Sequence, residues 1–144
     1  MDMAEGRRTF KEVRVAQVAS LLGDGSPHVV PLWFVWLPEG VYVTSRKESR
    51  LARNLARDPR VSLLVHRGQA WMEQAGVLIL GRAEVLGPDH PEAKKALSGW
   101  FEKYRSELSG GGFAAYTEAV HEPLVFVIRP SQVSSWIHAR PQRG

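Results

Sequence analysis

The stretch PHVVPLWFVWL, Pro27 to Leu37, limits the possible folds more than any other part of the chain. Turn-forming residues bound it on both sides, Gly23-Asp24-Gly25-Ser26 before and Pro38-Glu39-Gly40 after, so it reads as a single extended strand. Successive side chains of a strand point to opposite faces. Leu32, Phe34 and Trp36 therefore share one face, and Trp33, Val35 and Leu37 the other. Both faces are apolar, and such a strand must be covered on both sides. A chain of 144 residues, 44 % of them apolar, has enough material for one core that does this.

The neighbouring segments supply partners for that strand. Val13 to Leu22 reads as the first arm of a hairpin turning through Gly23 to Ser26, and Val41 to Ser45 as a third strand after the Pro-Glu-Gly turn. Arg60 to His66 and Gly76 to Leu86 read as two more strands, with Gly81 marking a bulge and Arg67 to Ala75 forming a loop. Asp89 to Leu108 carries a helical stripe of Ala93, Leu97, Trp100, Tyr104 and Leu108, with Asp89 placed as its cap and Gly110 to Gly112 as its end. A short helix over Phe113 to Val120 follows, then strands over Pro123 to Arg129 and Val133 to Ile137. The expected fold is mainly β with some α: an antiparallel barrel with a few flanking helices. Its limits are expected at residues 13 to 138, between a basic N-terminal segment, 1 to 12, and a C-terminal tail, 139 to 144.

Between the third and fourth strands the period changes. Over Ser45 to Arg57, Leu51 and Leu55 fall on one helical face while Arg46, Arg50, Arg53 and Arg57 gather on the other, and Ser45 with Glu48 reads as a capping box. A helix N-terminus presents unpaired N–H groups and the positive end of a dipole, so Thr44, Ser45, Arg46, Lys47, Ser49, Arg50 and Arg53 together can cradle an anion, with phosphate the natural guest. A solvated basic face with Ser45 acting only as a cap explains the same residues equally well.

Other chemistry is poorly represented. The five histidines show no metal-ligand spacing, so no metal is expected. GDGSPH at 23 to 28 lacks the P-loop and dinucleotide patterns, no GxSxG occurs, and no carboxylate pair stands out as acid and base. No catalytic side chain is identifiable, so any enzymatic chemistry would come from a cofactor. The chain has no cysteine, which excludes thiol catalysis and suits a cytoplasmic protein. Apolar runs such as Pro31 to Leu37 fall far short of the roughly 20 residues of a membrane helix, and Met1 to Phe10 is too polar for a signal peptide. A net charge of +4 fits an anionic partner without naming one. Trp100 lies on the helical stripe and reads as core, whereas Trp71 stands in a polar loop as either an anchor or a contact residue.

Three segments in order, GDGSPHVVPLWFVW, VYVTSRKESRLARNLARDPRVSLLV and VLILGRAEVLG, resemble the pyridoxamine 5'-phosphate oxidase-like family, the flavin- or deazaflavin-binding split β-barrels, from about Val15 to Gly87. The resemblance implies a homodimer with two cofactor sites at the interface, each lined by both chains. It implies that one face of the Pro27 to Leu37 strand fills the barrel while the other meets cofactor and partner. Carried across, Val30, Pro31 and Leu32 would lie against the cofactor ring and Thr44 and Ser45 near its ribityl chain, while Arg46, Lys47, Ser49, Arg50 and Arg53 compete for its phosphate. Many relatives read SRKARN where Ser49 to Asn54 read SRLARN, so Leu51 stands in a lysine position.

The implied function is a cytoplasmic oxidoreductase passing a hydride between bound FMN or the deazaflavin coenzyme F420 and a small organic substrate, with the two cofactors undecided. A non-catalytic flavin binder for storage or sensing makes the same demands on the sequence. Oxidation of pyridoxamine phosphate itself is disfavoured, since only Arg140 and Arg143 offer themselves as substrate-phosphate arginines. Nucleic-acid binding is disfavoured because the aromatics are not interleaved with Lys or Arg on an open sheet. Neither nucleic acid nor membrane is an expected partner.

Overall fold

The structure, a computed structural model, describes residues 1–108 and 123–138. The short helix expected over Phe113 to Val120 and the arginines Arg140 and Arg143 lie outside the described residues. The chain runs α1 (Met3–Phe10), β1 (Val15–Leu21), β2 (Pro27–Leu37), β3 (Gly40–Ser45), α2 (Arg50–Arg57), β4 (Arg60–Arg67), a 3-10 turn (Trp71–Glu73), β5 (Ala75–Leu86), α3 (Pro91–Lys103), α4 (Arg105–Leu108) and β6 (Leu124–Ile137). The six strands close into an antiparallel barrel in the order β1-β2-β3-β6-β5-β4.

The long strand β2 changes partner along its length. Pro27 to Trp33 pair with β1, in register Trp33 to Val15, whereas Phe34 to Leu37 pair with β3, in register Phe34 to Val43. Two ladders thus share one strand and leave it half-open on each side. Beside Phe34 the opening is closed by a side chain: the Phe34 N–H donates to the Tyr104 hydroxyl at 2.9 Å, and that hydroxyl lies 2.7 Å from the Arg14 carbonyl and 2.8 Å from that of Phe34. Lys103 donates to the same Phe34 carbonyl at 2.9 Å and stands over the Phe34 ring. Burial pushes the Lys103 ammonium down to about 8 and the Tyr104 phenol up to about 12, as expected for groups taken from water by α3 and the strand beneath it.

Both faces of β2 are covered, as its sequence demands. Phe34 and Trp36 enter the barrel interior with Val18, Leu63, Val77 and Ile128, while Val35, with Trp33 and Leu37 at the margin, packs beneath Ala96, Trp100 and Tyr104 of α3. The second cover over Val35 and Leu37 is therefore a helix of the same chain, where a cofactor and a partner subunit were expected. That helix is long and apolar enough on one stripe to do the work. α1 closes one end of the barrel, with Phe10 buried and Gly6 directly beneath the Trp36 ring, so an added Cβ would meet the indole at 2.6 Å.

Several boundaries differ from the sequence reading. α2 begins at Arg50 with Ser49 as its N-cap, not at Ser45, because Ser45 is still paired with Leu124 in the β3–β6 ladder. α3 begins at Pro91, where the imidazole of His90 accepts from the Glu92 N–H in place of the expected Asp89, and proline occupies the start, where its missing donor costs nothing. The two C-terminal strands are one strand, β6, which runs past Pro130 because the β5–β6 register shifts between Leu80 and Gly81. Gly81 is the bulge residue. A Cβ there would collide with the carbonyl oxygen of Arg129, so glycine is needed for close approach of two backbones.

A polar latch fixes the first turn of α3 to the barrel. The Tyr42 hydroxyl donates to Glu92 at 2.6 Å, Arg129 grips the same carboxylate through both terminal nitrogens at 3.1 and 3.0 Å, and its Nε reaches Glu84 at 3.2 Å. Arg129 and Tyr42, in that order, hold the Glu92 carboxyl below its ordinary 4.5. A group with a lowered folded value contributes stability at pH above its unfolded value, and this is lost as pH falls through the folded one. Glu92→Gln keeps the Tyr42 bond but loses the charge, and is expected to cost about 1 kcal/mol at neutral pH. In thermal melts from pH 7 to pH 3 the gap between the two proteins narrows once pH drops below about 4.5; a gap constant with pH contradicts the latch. Gly81→Ala is expected to cost about 1–3 kcal/mol, read from chemical denaturation, since the backbone of β6 must shift to admit a methyl group.

Candidate functional site

Where β2 leaves β3, a cleft opens. Upstream of Phe34 the edge of β2 facing β3 has no ladder partner, while β3 continues through Thr44 and Ser45 to pair with β6 on its far side. The resulting cavity, about 340 Å³, is lined by Pro31, Leu32 and Trp33 from β2, Thr44 and Ser45 from the end of β3, Arg46 and Ser49 from the turn before α2, and Trp100 from α3. One wall is apolar and aromatic; the other carries hydroxyls and a guanidinium. Backbone polar groups along an unpaired strand edge seek a partner, and here the cleft is the only direction left by the β1 ladder.

The polar wall has a defined hydrogen-bond state. Ser49 Oγ accepts from the Ala52 N–H at 3.0 Å and lies 2.6 Å from Ser45 Oγ. Two hydroxyls sharing one bond have one proton to spare, whichever donates to the other, and that proton can be given to a ligand oxygen. α2 has no acidic residue in its first turn, so within the helix the positive end of its dipole is not offset, Glu48 standing one residue before the cap. The helix is held firmly: Leu51, Ala52 and Leu55 are buried, Asn54 donates to Ser20 at 3.0 Å, and Arg57 donates to the Leu21 carbonyl at 2.7 Å. Leu51, in the position where relatives carry lysine, belongs to this buried face.

Of the ten residues expected to bind a cofactor, Pro31, Leu32, Thr44, Ser45, Arg46 and Ser49 meet in this cleft. Val30 precedes them on β2, half-buried and outside the lining. Lys47 lies exposed in the turn, and Arg50 and Arg53 are exposed on the outer face of α2, also outside the lining. No ion pair among the described residues joins Arg46, Lys47, Arg50 or Arg53 to an acidic side chain, and with Glu48 as the one carboxylate in their midst the cluster keeps a net positive charge around the mouth. The sequence sets Trp33 and Trp36 on opposite faces, one for the core and the other for a ligand or a second subunit, and Trp33 is the one that borders the cleft; Trp100 was missed as a cleft wall. Trp33 stacks on Tyr104 with centroids 4.2 Å apart and planes 3° from parallel, and Trp100 leans against it at 5.4 Å. Trp100 is indeed core, as its helical spacing indicates, but its edge also reaches the cleft; the alternation that set Trp33 apart from Trp36 was the available signal.

A larger concavity, about 510 Å³, lies on the outer face of β1, β4 and β5, bounded by Ala19, Leu21, Pro27 and Leu80 with Arg60 and Arg82. There Arg60 is already engaged by Asp58 at 2.7 Å, and of the three serines that also line it, Ser20 accepts from Asn54 and Ser131 donates to the Leu80 carbonyl, leaving Ser62, while no helix start lines it as in the smaller cleft. Among the described residues no cluster of His, Asp and Glu could hold a metal, and no helix is long and apolar enough to cross a membrane.

A family model described as pyridoxamine 5'-phosphate oxidase matches residues 3–137. No curated protein matches the sequence. Among solved structures, the conserved hypothetical protein Rv2991 from Mycobacterium tuberculosis is similar with a TM-score of 0.80 and 25% identity, over 100% of this chain and 91% of that one. An FAD-binding protein from Mesorhizobium loti is similar with a TM-score of 0.70 and 24% identity, over 94% and 92% of the two chains. The heme storage protein HutZ from Vibrio cholerae has the same fold at a TM-score of 0.70 and 19% identity, over 95% of each chain. With a family match spanning nearly the whole chain and a six-stranded barrel that opens where β2 changes partner, the protein belongs to the pyridoxamine 5'-phosphate oxidase-like family of split barrels.

Proposed function

We propose that the cleft between β2 and β3 holds a phosphorylated flavin-type cofactor, FMN or the deazaflavin, and that the protein is an oxidoreductase acting on a small organic substrate. The observation that carries this reading is the meeting of an unpaired strand edge with a hydroxyl pair, Arg46 and the start of α2 in one cleft. The donor set suits a phosphate dianion: a spare hydroxyl proton, a guanidinium able to donate twice, and the positive end of α2. The apolar wall of Pro31, Leu32, Trp33 and Trp100 suits a flat ring system. Family membership and the FAD-binding neighbour favour a flavin. The heme storage neighbour raises haem as a rival, but no histidine among the described residues lines this cleft.

When bound, such a cofactor accepts or donates the hydride. The chain's own residues do the rest. Ser49 and Ser45 orient the phosphate, Arg46 neutralises it, the free edge of β2 offers backbone groups to the polar rim of the ring, and Trp33 and Trp100 keep water from that side.

Arg46→Ala combined with Ser49→Ala is expected to loosen FMN or deazaflavin binding at least tenfold, since a charge-assisted hydrogen bond contributes roughly 1.5–3 kcal/mol. Flavin fluorescence titration measures it; wild-type affinity in the double variant, or no affinity in the wild type for either cofactor, overturns the reading. Arg50→Ala with Arg53→Ala is expected to weaken binding mainly at low salt, because these side chains act on the ligand through the field at the cleft mouth.

The same proposal includes a homodimer. On the outer surface of β1, β2, β4 and β5, Val29 is 63% exposed, Val15 and Pro31 are exposed, and Leu64, Leu78 and Leu80 are only half-buried. These residues lie on adjacent strands, so they form one apolar face of the kind that two copies bury. Analytical ultracentrifugation at micromolar concentration is expected to give a dimer, and Leu78→Lys a monomer.

A further inference from the structure

Three arginines stand in one cross-strand row. Arg60 of β4 is the direct partner of Arg82 of β5, and Arg82 of Arg129 of β6. Like charges placed directly opposite on neighbouring strands destabilise a sheet unless each meets an anion. Two of the three do. Arg60 is engaged by Asp58 at 2.7 Å, and Arg129 holds Glu92 and Glu84 at 3.0 and 3.2 Å. Arg82, between them, has no ion pair among the described residues. Its pull on Asp58 is weak beside the bonds from Arg60, which hold that carboxyl down to about 2.

The concavity of about 510 Å³ on the outer face opens beside Arg82, and its volume falls within the roughly 300–1,000 Å³ of small-molecule sites. Ala19, Leu21, Pro27 and Leu80 give it an apolar lining. Among its hydroxyls Ser62 is the one left over, since those of Ser20 and Ser131 are bonded to Asn54 and to the Leu80 carbonyl. Ser62 lies opposite Leu80 and is therefore the diagonal neighbour of Arg82, at the spacing of about 7–8 Å that such pairs have across a ladder. A guanidinium on its long stem and a hydroxyl so spaced can meet on one carboxylate, the guanidinium with two parallel N–H groups. No carboxylate among the described residues lines the concavity. With Arg60 balanced by Asp58, the charge left unmet there is a single positive one, which suits a monoanion better than a phosphate dianion.

We propose that this concavity is a second ligand site for an amphipathic monocarboxylate, with Arg82 and Ser62 on the carboxylate and Ala19, Leu21, Pro27 and Leu80 against its hydrocarbon part. The site does not rest on the cofactor reading. It lies toward the Pro27 end of β2, whereas the cleft lies at Pro31 to Trp33. Leu80 also belongs to the apolar face given to the dimer, so the site begins at the edge of that face and runs one cross-strand row beyond it, to Arg60 and Arg82.

Octanoate is the probe, with 1-octanol as its uncharged counterpart, and isothermal titration calorimetry at low salt is the measurement. Octanoate is expected to bind once per chain and 1-octanol at least tenfold more weakly. Arg82→Met keeps the stem and removes the charge. It is expected to melt no lower than the wild type, since Arg82 is exposed and faces two other arginines, and to bind octanoate at least tenfold more weakly with its affinity for 1-octanol unchanged. Arg82→Lys is expected to fall between the two, and Ser62→Ala to lose about threefold, so the test stands even where Arg82→Met does not fold. Arg46→Ala with Ser49→Ala, altered in the cleft alone, is expected to bind octanoate as the wild type does. Absence of octanoate binding by the wild type overturns the proposal, and so does binding that Arg82→Met and Ser62→Ala leave undiminished. Binding lost in the cleft variant and kept in Arg82→Met places octanoate in the cleft and overturns it as well. None of these results bears on whether the cleft holds a flavin.

Discussion

The structure depends on one constraint: β2 is longer than either of its partners and must satisfy two ladders in turn. Its first seven residues pair with β1 and its last four with β3, so at Trp33 and Phe34 each neighbouring strand diverges from it. Divergence on one side is repaired internally, where the hydroxyl of Tyr104 and the ammonium of Lys103 replace the missing strand at Phe34. Divergence on the other side is left as the cleft. A buried strand edge without partners costs more than one that opens on solvent or ligand, so the side lacking a plug is the side that can be used. The position of α3 follows from the same constraint, since it must bring Tyr104 to the gap and cover Val35 and Leu37 together.

This explains what was legible in the sequence. The bounds of β2 read correctly from alternation and two turns, and Gly81 read correctly as a bulge, because both signals are local. The start of α2 misled, since Ser45 and Glu48 form a valid capping pattern and so does Ser49; the pairing of Ser45 with Leu124 decides between them, and that contact spans most of the chain. β6 misled for a similar reason. Pro130 looks like the end of a strand, yet the register shift opposite Gly81 absorbs it, with Ser131 bonding back to the Leu80 carbonyl at 3.0 Å. A proline that breaks a regular ladder is tolerated at a bulge.

The candidate site was legible as a cluster but not as a surface. Arg46, Lys47, Arg50 and Arg53 are equivalent in a list of basic residues, whereas the shift of the helix start from Ser45 to Ser49 separates them. With Ser49 as cap, Arg46 lies in the turn and borders the cleft, while Arg50 and Arg53 become helix residues facing outward. A displacement of one helical turn therefore changes which charge lines the cleft and which stands outside it. Of the two tryptophans of the cleft, Trp33 was legible through its alternation with Trp36, whereas Trp100 was hidden for the opposite reason. Its packing role explained it fully, and nothing in a pattern of spacing reveals that a core side chain also has an edge on a cavity.

The neighbours of this fold include an FAD-binding protein and a heme storage protein, two ligands with little shared chemistry. A barrel that opens at a change of strand partner supplies only a slot with one polar backbone edge; the ligand is then chosen by the few side chains at its rim. Here those are, among the described residues, a hydroxyl pair with one proton to give, a guanidinium and two indoles, and no imidazole. Such a rim answers an anion joined to a flat ring and offers no axial ligand to iron.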